Sequence, residues 1–242
     1  MALPNSGPIS GSQIASELSV SSTNISLGGM ADTASFSAPD AYSDFYGYSN
    51  IPLGLTSALY TQNLSTSNSW DIFQGDNEIN LTPYRGKTAR LVIHYTNGTS
   101  GTSYQGDFQI GSVVYFGTGS FNFQYSLTNW ETTRTNSSTS SYASSTFYTL
   151  ADGTTSQRWN RRNTNAPPSG GTGLTPDTTV TNSQYYAYTE TSGASSTMLG
   201  FGFWLRSPQV VFPTNEDPSL EFAFAHYGSN VGSFRVYLDI IA

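Results

Sequence analysis

Thr88-Ala89-Arg90-Leu91-Val92-Ile93-His94-Tyr95-Thr96, closed by Asn97-Gly98, is the stretch on which the fold class turns. It has a strand's length, is rich in β-branched and aromatic residues, and ends on a dipeptide that favours a hairpin turn. Reading outward, Asp107-Phe108-Gln109-Ile110 and Val113-Val114-Tyr115-Phe116 are predicted as two strands around Gly111. Ser120-Phe121-Asn122-Phe123-Gln124-Tyr125 alternates strictly, as a half-buried strand should. Tyr185 to Thr189, Leu199 to Leu205, Leu220 to Ala225 and Ser233 to Ile241 continue the pattern. Residues 132–146 are almost pure Thr, Ser and Asn, which predicts a mobile surface excursion. Short strands at regular spacing with turn signals between them mean an all-β sandwich or barrel.

Composition agrees. Of 242 residues, 14% are aromatic and 10% charged, with sixteen Tyr, fourteen Phe and 23 Gly. Disordered chains are poor in aromatics, and helical ones need more Ala, Leu, Glu and Lys. The formal net charge is −7 and Lys occurs once, at Lys87, so a phosphate-tracking nucleic-acid surface is not expected. No cysteine means no disulfide, thiolate zinc site or Cys nucleophile. A chain made in a reducing cytoplasm and destined for the outside would have this composition. The opening Met1-Ala2-Leu3-Pro4 lacks a basic region and an apolar core, so no signal peptide is expected. The apolar runs are short, so no membrane insertion is expected.

Residues 1–50 differ from the rest and contain no Lys or Arg. Pro8-Ile9-Ser10-Gly11-Ser12-Gln13-Ile14 starts like a short helix, with Ser10 or Ser12 as N-cap. Ile14 and Leu18 stand four apart and make one small stripe. Ile25-Ser26-Leu27 is strand-like or extended, and Ser43-Asp44-Phe45-Tyr46-Gly47 packs aromatics into a turn. Such a segment is expected to lack a core of its own and to lie on something else. The three phrases, Leu3 to Ser12, Ile25 to Leu27 and Ser43 to Gly47, resemble in their order the openings of tailed-phage virion proteins. The resemblance implies an arm that anchors through Ile9, Ile14, Leu18, Ile25, Leu27, Phe45 and Tyr46. A low-complexity linker is the alternative.

The body resembles a MAM domain, a jelly-roll β-sandwich of adhesion proteins, over about 165 residues. Phe121-Asn122-Phe123-Gln124 with Trp130 is similar to that family's opening strand and following Trp. Trp159-Asn160-Arg161 and Gly171-Thr172-Gly173-Leu174-Thr175-Pro176-Asp177 are similar to its aromatic loop and Thr-Gly-Pro phrase. Tyr186 to Ser192, the Leu205-Arg206-Ser207-Pro208 turn, and Leu220 to Phe224 with Gly228 to Leu238 follow in order. Tyr84 to Ile93 and Ser103 to Ile110 resemble the closing strands, yet come first here. The exchange reads as a circular permutation, which adjacent sandwich termini allow; pairing of the halves between copies is the alternative. The fold expected is therefore a permuted MAM-like jelly roll, residues 51–242, behind an extended arm, residues 1–50. Some such jelly rolls hold a structural cation. Here the opening acids are replaced by Asn122 and Gln124, leaving Asp107 and Glu190 as candidate Ca²⁺ ligands, with no other cofactor expected. Otherwise Asp107 caps a turn and Glu190 pairs with an arginine.

Hydrolase, zincin and P-loop motifs do not occur. His94 and His226 read as packed or surface imidazoles. Asp76/Glu78 and Glu216/Asp217 read as solvated turn acids rather than a glycosidase pair. Trp159, Tyr142, Tyr148 and Tyr185-Tyr186 offer aromatic faces for sugar rings, against the alternative that they fill the core. Arg158-Arg161-Arg162 is the basic cluster, suited to an acidic partner surface. Trp159, Tyr142, Tyr148 and Arg161 are thus the candidate ligand-binding residues. The resemblances imply a non-enzymatic virion structural protein of the tail, neck or baseplate, homo-oligomeric and exposed on the particle beside other virion proteins. The alternatives are a receptor-binding protein for host surface glycans or proteins, and a capsid decoration protein.

Overall fold

The computed structural model describes residues 3, 7–18, 21, 23, 26–34, 41–45, 54–65, 69–73, 78–99, 106–116, 119–121, 130–135, 142, 146–150, 158–163, 174, 185–191 and 199–241. Among them the chain forms β1 (Gly54–Leu55), β2 (Tyr60–Asn63), β3 (Asp71–Phe73), β4 (Ile79–Asn80), β5 (Thr88–Thr96), β6 (Asp107–Phe116) and β7 (Gly119–Phe121). It continues with β8 (Glu131–Thr135), β9 (Tyr148–Thr149), β10 (Arg158–Asn163), β11 (Tyr185–Glu190), β12 (Gly202–Val211), β13 (Ser219–Tyr227) and β14 (Ser233–Ile240). One antiparallel sheet runs β1-β14-β5-β12-β8-β9, with β2 also on β14. The other runs β10-β11-β6-β13-β3, with β4 on β13 and β7 on β6.

The sheets face each other across one apolar layer. On β5, Ala89, Leu91, Ile93 and Tyr95 point inward; on β14, Phe234, Val236, Leu238 and Ile240 do the same. Facing sheet residues include Phe108, Ile110, Val113, Phe222 and Phe224. Rings interlock across the layer: Phe108 lies 4.9 Å from Phe234 and 5.2 Å from Tyr95, and Phe224 lies 4.9 Å from Phe234. The period-2 alternation of the sequence thus becomes the inside and outside of a sandwich.

Several expectations are corrected. Gly111 does not separate two strands. It lies in the continuous β6, where Gly111 and Ser112 together oppose Ala223, a bulge between the pairs Phe222–Val113 and Phe224–Ile110. The Leu205 to Pro208 phrase is not a turn but lies within β12. The register against β5 shifts there, and the Ser207 hydroxyl accepts the Leu91 N–H at 2.8 Å. The start of the Thr/Ser tract is strand β8, with Thr132 and Thr133 buried. Residues 136–141 and 143–145 lie outside the described residues, as does Asn122 to Tyr125. Trp159 to Arg161 are in strand β10 rather than in a loop.

The N-terminal segment is not extended where it is described. Helix α1 (Gly11–Glu17) is closed by a capping box: Ser10 Oγ accepts the Gln13 N–H, and Gln13 Oε1 accepts the Ser10 N–H at 2.8 Å. Helix α2 (Leu27–Thr33) begins where an extended phrase was expected, because the Ser26 hydroxyl accepts the Gly29 N–H at 3.0 Å. Leu3, Ile14, Ala15, Leu18, Met30, Ala31, Ala34 and Phe45 bury one another, with Ile9 and Leu27 packed against them. The segment therefore does build a small core, separate from that of the sandwich. Two helices and a 3₁₀ turn at Tyr42–Phe45 contribute most of its apolar residues, with Leu3 and Ile9 ahead of them.

Candidate functional site

One open edge of the sandwich lies between β8–β9 of the first sheet and β10 of the second. Tyr148 pairs with Thr132 across β8 and β9, and it is 53% exposed. The Arg158 guanidinium stands 5.1 Å over its ring. Two residues along β8 from Thr132, Arg134 stands 5.2 Å over the half-buried Phe201 ring. Burial first, and then the Arg158 charge, lower the Arg134 pKa, which puts the two guanidinium groups in the same electrostatic neighbourhood. No described carboxylate pairs with Arg158; Glu190, its cross-strand register partner, is 2% exposed. An exposed ring beside two cations can stack on a ligand ring and hold an anion.

The four residues expected to bind ligand do not share this surface. Tyr148 is there. Trp159 is a core residue, 1% exposed, edge-on to Phe108 at 5.9 Å, with its backbone N–H donated to Thr132 Oγ1. It offers no face to a ligand, because alternation along β10 turns it inward between the sheets. Arg161 also turns inward and is buried, its guanidinium 3.9 Å over the Tyr185 ring. Tyr142 lies on the outer face of the first sheet. Its ring is 5.2 Å from both Phe147 and Trp204, and its hydroxyl donates to Asp239 Oδ2 at 3.0 Å.

That outer face carries a connected charged layer. Glu131 Oε2 accepts from Arg90 Nη1 at 2.6 Å and from Arg206 Nε at 2.8 Å. Arg206 in turn stacks 3.9 Å over Phe147 and lies 3.8 Å from Asp239. Burial is the largest cause raising the Tyr142 pKa. Beside this layer, His94 stacks flat on Trp204 at 3.6 Å; burial, then Arg235, hold its pKa at about 3. His94 is thus a neutral packing group. His226 lies within β13, buried, against Phe224 at 6.2 Å, and burial lowers its pKa too. Two of the exposed acids have structural partners: Asp217 pairs with Arg85, and Glu78 accepts the Ser219 hydroxyl at 2.8 Å. Asp76 lies outside the described residues.

The outer face of the second sheet holds the two candidate cation ligands. Asp107 is fully buried, and its Oδ1 accepts both the backbone N–H and the hydroxyl of Thr191, at 3.1 and 2.8 Å. This is the capping role named as its alternative. Glu190 is buried on the neighbouring β11. Tyr186 and Tyr188 share its face, their pKa values raised chiefly by burial. Gln109 clasps the Leu174 backbone by two hydrogen bonds, at 2.8 and 2.6 Å. A Ca²⁺ site takes about six to eight oxygen ligands. Among the described residues no third acidic, His or Cys side chain joins the pair.

The anchoring residues are also placed differently from expectation. Ile14, Leu18 and Phe45 are buried in their own cluster, and Ile9 and Leu27 pack against it. Ile14, Leu18 and Phe45 offer almost no surface to a partner, whereas Ile9 and Leu27 keep part of theirs. Ile25 and Tyr46 lie outside the described residues; among the described residues of this segment, Tyr42, 48% exposed, is the exposed large ring. Sequence reading missed Arg134 and the pairing of Arg158 with Tyr148. The signal was a basic cluster at 158–162 in an acidic chain. Comparison with protein-family models, with curated proteins and with solved structures finds no match to this chain.

Proposed function

We propose that the chain is a non-enzymatic structural protein of a phage particle, of the tail, neck or baseplate. Its N-terminal module docks to the particle and its sandwich projects as an adhesion-type unit. The observation that carries this reading is the separation of two apolar cores. One, built by residues from Leu3 to Phe45, stands apart from the other, built by the strands from Ile79 to Ile240. A small self-packed module ahead of a sandwich suits a plug that is held while the body is displayed. It docks as a preformed unit, so its binding face is its exposed surface around Tyr42 rather than its apolar residues.

The finer fold reading belongs with it. The strands β2, β3, β5, β6, β11, β12, β13 and β14 pair as β2-β14-β5-β12 and β3-β13-β6-β11. The first pairs with the last and consecutive strands mostly change sheet, a jelly-roll order. The likeness to a permuted MAM domain rests on the order of the sequence motifs.

The test is removal of residues 1–48 from the full chain. The expected result is a soluble, folded body that no longer joins particles; normal incorporation overturns the docking role. A second reading, recognition of host surface glycans, is favoured by the exposed Tyr148 beneath Arg158. A glycan array with the intact chain tests it.

A further inference from the structure

We infer that the sandwich edge formed by Tyr148, Arg158 and Arg134 is a binding site for a saccharide bearing an anionic group, a carboxylate or a sulfate. The inference deepens the adhesion part of the proposed function and is independent of how the N-terminal module docks.

The residue types define the ligand. Tyr148 is 53% exposed although it sits on a strand, so its ring can meet the C–H face of a pyranose. Arg158 is already positioned by that ring and keeps its guanidinium donors for a planar oxyanion, which a fork of N–H groups meets in bidentate fashion. Arg134, held over Phe201, adds a second positive charge. Several other described arginines differ from Arg158. Arg90 and Arg206 are engaged by Glu131, Arg85 by Asp217, and Arg161 is buried over Tyr185. In a chain of net charge −7, an arginine with no acidic partner among the described residues, set beside an exposed ring, is a selective feature. A neutral sugar would use the ring but leave the Arg158 guanidinium donors unused. Nucleic acid would need a far longer basic track.

The experiment uses the full chain and isothermal titration calorimetry with 3′-sialyllactose, a sulfated heparin disaccharide and lactose. Binding of either acidic saccharide, with lactose at least tenfold weaker, is expected, and which acid binds identifies the anion. Arg158→Gln is expected to weaken it about ten- to a hundredfold. Tyr148→Ser should weaken it about fivefold, while Tyr148→Phe retains it. Affinity should also fall as salt rises. Circular dichroism and thermal melting check that each variant folds. Absence of binding to both acidic saccharides, equal affinity for lactose, or unchanged affinity in both Arg158→Gln and Tyr148→Ser overturns the inference. The particle-incorporation assay is unaffected by these outcomes, so failure here is distinguishable from failure of the docking reading.

Discussion

Trp159 separates a core role from a ligand-binding role, and the two predict opposite outcomes on substitution. Its side chain lies between the sheets, 1% exposed, against Phe108. A tryptophan buries roughly 200 Å². At about 25 cal/mol per Å² this corresponds to about 5 kcal/mol, within the range of about 3–5 kcal/mol found for large aromatic-to-alanine changes. Trp159→Ala should therefore cost about 4 kcal/mol. In a domain of this size that is a fall in Tm of about 8–16 °C. The indole Nε1 is buried without a hydrogen-bond acceptor among the described residues. Trp159→Phe gives up part of the ring but removes an unsatisfied donor that costs about 1–3 kcal/mol, so its net loss should be about 1 kcal/mol or less. Urea denaturation of the three proteins measures the difference directly. A Trp159→Ala loss below about 1 kcal/mol would remove Trp159 from the core. Equal losses in the Ala and Phe variants would mean that the indole N–H has a partner.

Three further outcomes follow from the same geometry. Glu131→Ala leaves Arg90 and Arg206 facing each other without their shared acceptor. Since all three side chains are only 21–28% exposed, the loss after discounting for solvent screening should be about 2 kcal/mol in urea titration. Because burial, then Arg235, lower the His94 pKa to about 3, the unfolded chain binds the proton more readily between pH 6.5 and 3. Its contribution is complete above pH 6.5 and is lost as pH falls towards 3, so His94→Phe should flatten the stability profile in that window by a few kcal/mol. A Cβ on Gly232 would lie 2.2 Å from the Thr96 carbonyl oxygen and 2.8 Å from backbone atoms of Asn97. Gly232→Ala should therefore cost about 2 kcal/mol or more by thermal melting, with Gly11→Ala, where the nearest atoms lie at 3.5 and 3.7 Å, as the contrast for crowding.

Strands were legible where one face is apolar and the other polar. Ser233 to Ile240 alternates in sequence and alternates in burial. The pattern failed where strand formation rests on something other than apolar alternation. Thr132 and Thr133 read as loop because they are polar, yet Thr132 is buried with its hydroxyl accepting the Trp159 N–H. Gly111 read as a break because a bulge and a turn both favour glycine. The N-terminal core was not legible because its members, from Leu3 to Phe45, are scattered between short helices, and only the Ile14–Leu18 pair shows a local period. As for the candidate site, Tyr148 and Arg158 were each visible as types. Their meeting requires β9 and β10 to be brought together from different sheets, which no local spacing records.

The position of β14 has a consequence for the order of folding. It is made after every other described strand, yet it lies between β5 on one side and β1 and β2 on the other. During synthesis the early strands of that sheet must remain without their shared neighbour until residues 233–240 have emerged. Closure then joins segments separated by more than half the chain, an entropic cost that precedes any ladder of hydrogen bonds. The chain is expected to fold late and slowly for its size, exposing unpaired edges on the ribosome.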